Sequence, residues 1–315
     1  MSALIIRKYE KGDEVALRRL LGRCFGRFET WTAERVAELT ASPGPDLAEM
    51  WMALDGSRHV GCVRTHGVPR AGTYVIRELA VDAAPQDSVA GRLLDVALEH
   101  LGDLDPILIR ASTPNVAPYP DAYLRRGFTP VRRALTLVWD LTRLPPVPVS
   151  EGPVVVGDAL RHPPERLAEL YVEGMRPYWD WFIDERGGAD GYKERVAAYV
   201  AGLPPDGGNE MWLIAEIEGS AVGLSFVSDI SEVEADMGGV YVLPAHRNSG
   251  VGSALMRATL SGLQERAIER LVVPETMSFL DSEMPSIRLY QRSGARVRAE
   301  YLHLQLDGTS VQPGA

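Results

Sequence analysis

The stretch Val240-Tyr-Val-Leu-Pro-Ala-His-Arg-Asn-Ser-Gly-Val-Gly-Ser-Ala-Leu-Met256 decides the reading of this chain. A β-rich segment ends at Pro244, a turn runs through Arg247-Asn-Ser-Gly-Val-Gly252, and a helical pattern begins at once. Helix-start N–H groups have no internal acceptor and carry the positive end of the helix dipole. Glycines let the backbone curl closely around an anion, so the amides from Asn248 through Ser249, Gly250, Val251 and Gly252 to Ser253 form a candidate phosphate cradle. No Lys-Ser/Thr follows the second glycine, which excludes a P-loop, and the spacing is not that of a dinucleotide fingerprint. Taken alone, an ordinary glycine-rich strand–helix turn reads the same way.

Outward from this turn, strands are expected at 211–217 and 221–228, joined by the hairpin signal Glu218-Gly-Ser, and a third at 237–243. Helices are expected at 164–175, 191–201, 250–267 and 285–292, with a buried strand at 270–273 and a last strand at 300–306. The first half repeats the order: a hairpin from 50–54 with 60–66, a helix at 90–101 and a buried strand at 107–111. Tyr123-x-x-x-Gly127 and Tyr290-x-x-x-Gly294 each precede an alternating strand. Gly91 and Gly252 lie 161 residues apart and Gly127 and Gly294 lie 167 apart, so one short insertion relates two copies of one unit. Between them, 144–153 is proline-rich and reads as an extended connector. The expected division is a first domain at 1–143, this linker, a second domain at 154–309 and a tail at 310–315. Each domain is expected to be α/β, a mixed central sheet flanked by helices.

Composition narrows the function. The chain has 315 residues, 45% apolar and 24% charged, enough for sizeable cores. A net charge of −10 opposes duplex nucleic-acid binding, which needs a basic surface. No apolar run approaches the roughly 20 residues that span a bilayer, and no leader pattern opens the chain, so a cytoplasmic protein without membrane partners is expected. Cys24 and Cys62 are too few for a disulfide framework, and six scattered histidines lack ligand spacing, so no metal is expected.

The second half resembles the GNAT (Gcn5-related) N-acetyltransferases. Arg247, Gly250 and Gly252 match the family's Arg/Gln-x-x-Gly-x-Gly/Ala signature after a strand, and Leu289, Tyr290 and Gly294 match its later Leu-Tyr-x-x-x-Gly element. In the first half Gln86 and Gly91 fit, but Val89 stands where the middle glycine belongs and Asp87 adds negative charge, so that copy resembles a degenerate GNAT domain. The tandem arrangement is reminiscent of mycothiol synthase-like architecture.

The resemblance implies acetyl-CoA as the cofactor, its pyrophosphate on the amides 248–253, and a primary amine of a small molecule as the acceptor. It implies strand contacts from Val240 and Val242, with the Val242 N–H on the thioester carbonyl, and Tyr290 as the acid for the thiolate. The family position that often carries a glutamate is Gly238, which leaves Asp236 or Glu234 as candidate bases. Tyr178, Trp179, Asp180 and Trp181 lie in the segment that would wall the acceptor pocket, where aromatics beside carboxylates could hold a cationic or sugar-like amine. Those aromatics could equally pack into an interface. The competing class is a non-catalytic acyl-CoA sensor or scaffold with two GNAT folds, favoured by the missing strand glutamate and opposed by the intact loop.

Overall fold

A computed structural model of the chain describes residues 4–26, 31–41, 49–68, 72–82, 86–146, 152–180, 183 and 188–310. The chain divides into two compact units. The first comprises Met1–Leu135, Met277–Glu283 and Arg298–Ala315, and the second Thr136–Thr276 and Met284–Val297.

In the first unit, β1 (Leu4–Lys8), β2 (Glu49–Asp55), β3 (Arg58–Val68), β4 (Thr73–Val81) and β5 (Leu108–Pro114) lie side by side in that order. The first four pair antiparallel, and β4 runs parallel to β5. Helices α1 (Glu14–Phe25) and α2 (Ala33–Ala41) lie between β1 and β2 in sequence, α3 (Gln86–Gly102) connects β4 to β5, and α4 (Tyr119–Leu124) follows. One core gathers Leu93, Leu94, Ala97 and Tyr123 against Ile76 and Ile109, and another sets Leu17, Leu20 and Leu21 against Met52 and Cys62. The alternate residues of the strands thus serve two layers of helices.

The second unit repeats the plan. After β6 (Thr129–Asp140) come β7 (Val154–Asp158), α5 (Pro164–Met175), α6 (Gly188–Ala201), β8 (Met211–Ile217), β9 (Ser220–Ser228), β10 (Glu234–Val242), α7 (Val251–Glu265), β11 (Arg270–Ser278), α8 (Pro285–Arg292) and β12 (Arg296–Asp307). Strands β7 to β10 pair antiparallel in chain order, and β10 runs parallel to β11. In α7 the residues Val251, Leu255, Thr259 and Leu263 are buried, each four from the last, as one helical face requires.

The expected elements are present with ends displaced by a few residues, and β11 is longer, running to Ser278 instead of 273. The two units are not contiguous halves. The chain's last strand, β12, pairs antiparallel with β5 from Tyr301↔Pro114 to Asp307↔Leu108, and Leu304 and Leu306 enter the first unit's core. In turn the end of β6 belongs to the second unit, where Thr136 Oγ1 donates to the Pro274 carbonyl at 2.8 Å. A boundary drawn at the proline-rich connector misses this exchange, because alternation says which face of a strand is buried and nothing about which strand it joins.

Candidate active site

The site of the second unit begins where two parallel strands part. β10 and β11 pair at Glu234↔Arg270, Ala235↔Leu271 and Asp236↔Val272, and the ladder stops there although both strands continue. Two residues account for the stop. Continuing the register would set Gly238 opposite Pro274, which has no N–H to give. Moreover β10 bulges between Met237 and Gly239 against β9, with Gly239 at φ +144°, a backbone state that favours glycine. The strands splay above this point.

Backbone direction follows. The Leu243 N–H donates to Val222 O on the β9 side at 3.0 Å, so the N–H groups of Val242 and Val240 face away from β9, toward the gap. The phenol of Tyr290 lies against the Val240 backbone. Tyr290 is 3% exposed, its ring edge-on to Trp139 with centroids 5.4 Å apart, and burial pushes its pKa up to about 12. Tyr290 and the two valines named from the sequence therefore meet in the gap.

Above the gap lies the loop. After a 3₁₀ turn at Pro244–His246, Asn248 adopts φ +62° and Gly250 φ +90°, and α7 starts at Val251 with no side chain capping it. Its first amides are thus left for an outside acceptor. A Cβ on Gly250 would meet nothing within 4 Å, so the glycine serves the backbone turn. One on Gly252 would come within 3.2 Å of Leu289, where α7 and α8 pack closely. Ser249 Oγ donates to His246 O at 2.5 Å and closes the turn on itself.

Arg247 does something other than hold phosphate. Its Nε donates to Val242 O at 3.1 Å and its Nη2 to Gly174 O at 3.0 Å and to Arg176 O. The guanidinium lies over the Tyr178 ring, 5.1 Å from its centroid. The side chain is spent on fastening the loop to the end of β10 and to the chain beyond α5.

The candidate wall is similarly employed. Trp179, like Tyr192 and Tyr241, packs against the cluster of Val172, Met175 and Ile183, and Asp180 lies 3.3 Å from Arg176. Trp181 lies outside the described residues. Glu234 is held 3.0 Å from Arg270 where β10 starts, about 20 Å along the strand from Val240 at some 3.3 Å per residue. Asp236 stands half-buried at the vertex of the splay, its pKa raised by burial and by Asp229 and Glu234. Neither carboxylate is at the bulge.

What stands at the bulge is aromatic. A Cβ on Gly238 would overlap the Phe226 ring at 1.9 Å. Phe226 stacks on Trp212 at 4.5 Å and on Tyr241 at 6.2 Å, and Tyr171 packs on Tyr241 at 4.5 Å. Tyr241 lies inside the decisive stretch, and the consecutive glycines before it were the signal that a neighbouring side chain fills their space.

Residues 165–295 match the acetyltransferase (GNAT) family model. Over those residues the second unit resembles the GNAT acetyltransferases. The fold reaches further than that match. A GCN5-related N-acetyltransferase from Sphaerobacter thermophilus superposes with a TM-score of 0.73 at 18% identity, covering 99% of this chain and 97% of that one. A tandem GNAT protein from the clavulanic acid biosynthesis pathway superposes with a TM-score of 0.63 at 17% identity, covering 97% and 99%. A GCN5-related glucosamine N-acetyltransferase region of a fungal multi-domain β-N-acetylglucosaminidase gives 0.65 at 16% identity, and there the likeness spans 97% of this chain but 38% of the other. No curated protein matches the chain. Both units therefore carry the GNAT fold in tandem. Among the described residues no helix is long and apolar enough to cross a membrane, and no cluster of His, Cys, Asp or Glu could hold a metal.

Proposed function

We propose that this chain is an acetyl-CoA-dependent N-acetyltransferase whose second unit acts on a primary amine of a small molecule. The observation that carries the reading is the splayed β10–β11 pair, with Tyr290 seated on the Val240 amide below and an uncapped helix start above. The amides 248–253 would receive the cofactor's pyrophosphate, favoured by the helix dipole. When bound, acetyl-CoA supplies the activated acyl group. The Val242 N–H, facing the gap, would stabilise negative charge on the carbonyl oxygen as a neutral amine attacks. Tyr290, protonated at neutral pH, would hold its proton for the departing sulfur. Asn248, Gly250 and Gly252 shape the cradle, while Arg247 keeps it in place from behind.

The face of β10 that carries Tyr241, with Trp179 and Tyr192 beside it, is the aromatic surface against which an acceptor would lie. The reading is tested by CoA release from acetyl-CoA with spermidine, glucosamine and tyramine as acceptors. Turnover with one of them and a shift in its mass by one acetyl group support it. Tight acetyl-CoA binding without turnover would instead favour a sensor, a reading to which the absence of a carboxylate at Gly238 and Gly239 lends weight.

A further inference from the structure

Acylating an amine releases a proton, and among the described residues no carboxylate stands at the bulge of the second unit to take it. We propose that the phenol of Tyr241 takes this proton and relays it outward through Tyr171 and Tyr192. The proposal rests on the acetyltransferase reading and specifies the proton path within it.

The first support is occupancy. A Cβ on Gly239 would lie 2.6 Å from Tyr241 Oη, so the phenol fills the space that a side chain at the bulge would take. Partner registers show why. Gly239 opposes Phe226, Tyr241 opposes Leu224 and Asp236 opposes Ser228, which puts Asp236, Gly239 and Tyr241 on one face of β10.

The second support is the other copy. At the spacing of 161, Glu78 corresponds to Gly239 and Ala80 to Tyr241. Glu78 sits at the first unit's own bulge with φ +50°, its carboxylate accepting from Arg64 Nε at 2.7 Å, and Ala80 is fully buried. One unit thus pairs an acid at the bulge with a methyl group two residues on. The other pairs a glycine with a phenol that reaches back over it.

The third support is connection. Tyr241 Oη donates to Gly238 O at 2.8 Å, its ring packs on that of Tyr171 with centroids 4.5 Å apart, and the Tyr171 hydroxyl accepts from Tyr192 Oη at 3.4 Å. The groups facing Tyr241 are Tyr171 on α5, Tyr192 on α6, Tyr290 on α8 and the apolar Phe226 on β9. Glu173 and Lys193 form an ion pair at 2.8 Å between α5 and α6, and Asp236 lies lower on the same strand face. Burial and the neighbouring phenols hold Tyr241 well above the ordinary tyrosine range, so it rests neutral and acts as a relay. In the step, the Tyr241 O–H turns from Gly238 O to Tyr171 and the Tyr171 and Tyr192 hydroxyls rotate to donate outward; the C–N bond forms and the amine's proton passes to Tyr241 oxygen as Tyr241's own proton passes to Tyr171. Tyr171 gives its proton to Tyr192 and Tyr192 to solvent, while the C–S bond breaks and sulfur takes the proton of Tyr290, which solvent replaces.

The test compares wild type with Tyr241→Phe as full chains, using the fastest of spermidine, glucosamine and tyramine. The variant is expected to bind acetyl-CoA as wild type does and to lose about a hundredfold in kcat, with kcat then rising tenfold per pH unit as hydroxide replaces the relay. A kcat within threefold of wild type, or a loss confined to Asp236→Asn, would overturn the relay. Should Tyr241→Phe fail to fold, the wild type answers alone: kcat should fall about two- to threefold in heavy water with a curved proton inventory. No isotope effect, or a linear inventory, overturns the proposal. Wild type that releases no CoA with any of the three amines overturns the acetyltransferase reading itself.

Discussion

The two strand-to-helix turns, 86–91 in the first unit and 247–252 in the second, begin alike and end differently. Gln86 Nε2 donates to Val81 O at 3.3 Å, and Arg247 Nε donates to Val242 O at 3.1 Å, the same bond in each copy. The signature's first residue is thus a pin that ties the turn to the strand before it. Beyond the pin, the second unit uses φ +62° at Asn248 and φ +90° at Gly250 to turn the backbone before α7 starts at Val251. The first unit has Val89 in place of Gly250, and α3 is already helical from Gln86. A β-branched residue does not adopt the left-handed turn, so the chain continues as helix and the curl is lost. Asp87 there adds a negative charge, 3.6 Å from Arg125. The amide that would meet a thioester is also taken: Val81 N–H donates to Tyr119 Oη at 3.4 Å, whereas its counterpart Val242 N–H faces the gap. Two copies of one fold differ in whether the donors are left open, and the difference predicts one working site per chain.

The sharpest way to break this comparison is to close the second loop. Gly250→Asp should weaken acetyl-CoA binding at least about a hundredfold, since backbone strain of roughly 1–2 kcal/mol adds to a carboxylate set beside the pyrophosphate. Calorimetric titration of the variant checks it. Next in size is Tyr290→Phe, expected to cost kcat about tenfold to a hundredfold while leaving acetyl-CoA affinity unchanged. Because burial raises that phenol to about 12, the proton stays on it through the assay range, and the loss should be the same at pH 6 and pH 9. Steady-state rates at the two pH values decide this.

Arg247→Gln copies the first unit's pin. It should keep the bond to the Val242 carbonyl and lose those to Gly174 and Arg176, costing about 2 kcal/mol, or a Tm lower by about 5 °C in a unit of this size. A thermal melt reads it directly. Smallest is the reverse experiment, Val89→Gly. With Asp87 and the Tyr119 contact still in place, it should leave the stoichiometry of acetyl-CoA unchanged, as titration would show.

Much of this site is legible in the sequence because its signals are local. Gly250 requires a positive φ, Pro244 ends a strand, and helical spacing starts at Val251, all within one turn of the chain. The repeat is legible for the same reason, since equivalent residues keep their spacing. Contacts across the sheet are not. That Phe226 closes over Gly238, that Tyr241 reaches back over Gly239, and that Arg247 turns toward Gly174 depend on register between strands and helices far apart in sequence. The placement of β12 against β5 joins residues nearly two hundred apart, and no local pattern encodes it. Tyr123 shows the limit of motif matching: it aligns with Tyr290, yet its hydroxyl is buried without a partner, and Tyr119, one turn earlier, holds the strand amide.

The central claim is one open site and one closed one in the same chain, and the number of acetyl-CoA molecules bound per chain tests it most directly. Calorimetric titration of the wild-type protein should give one. A value of two would contradict the account, because it would mean that the first unit binds the cofactor without the glycine turn.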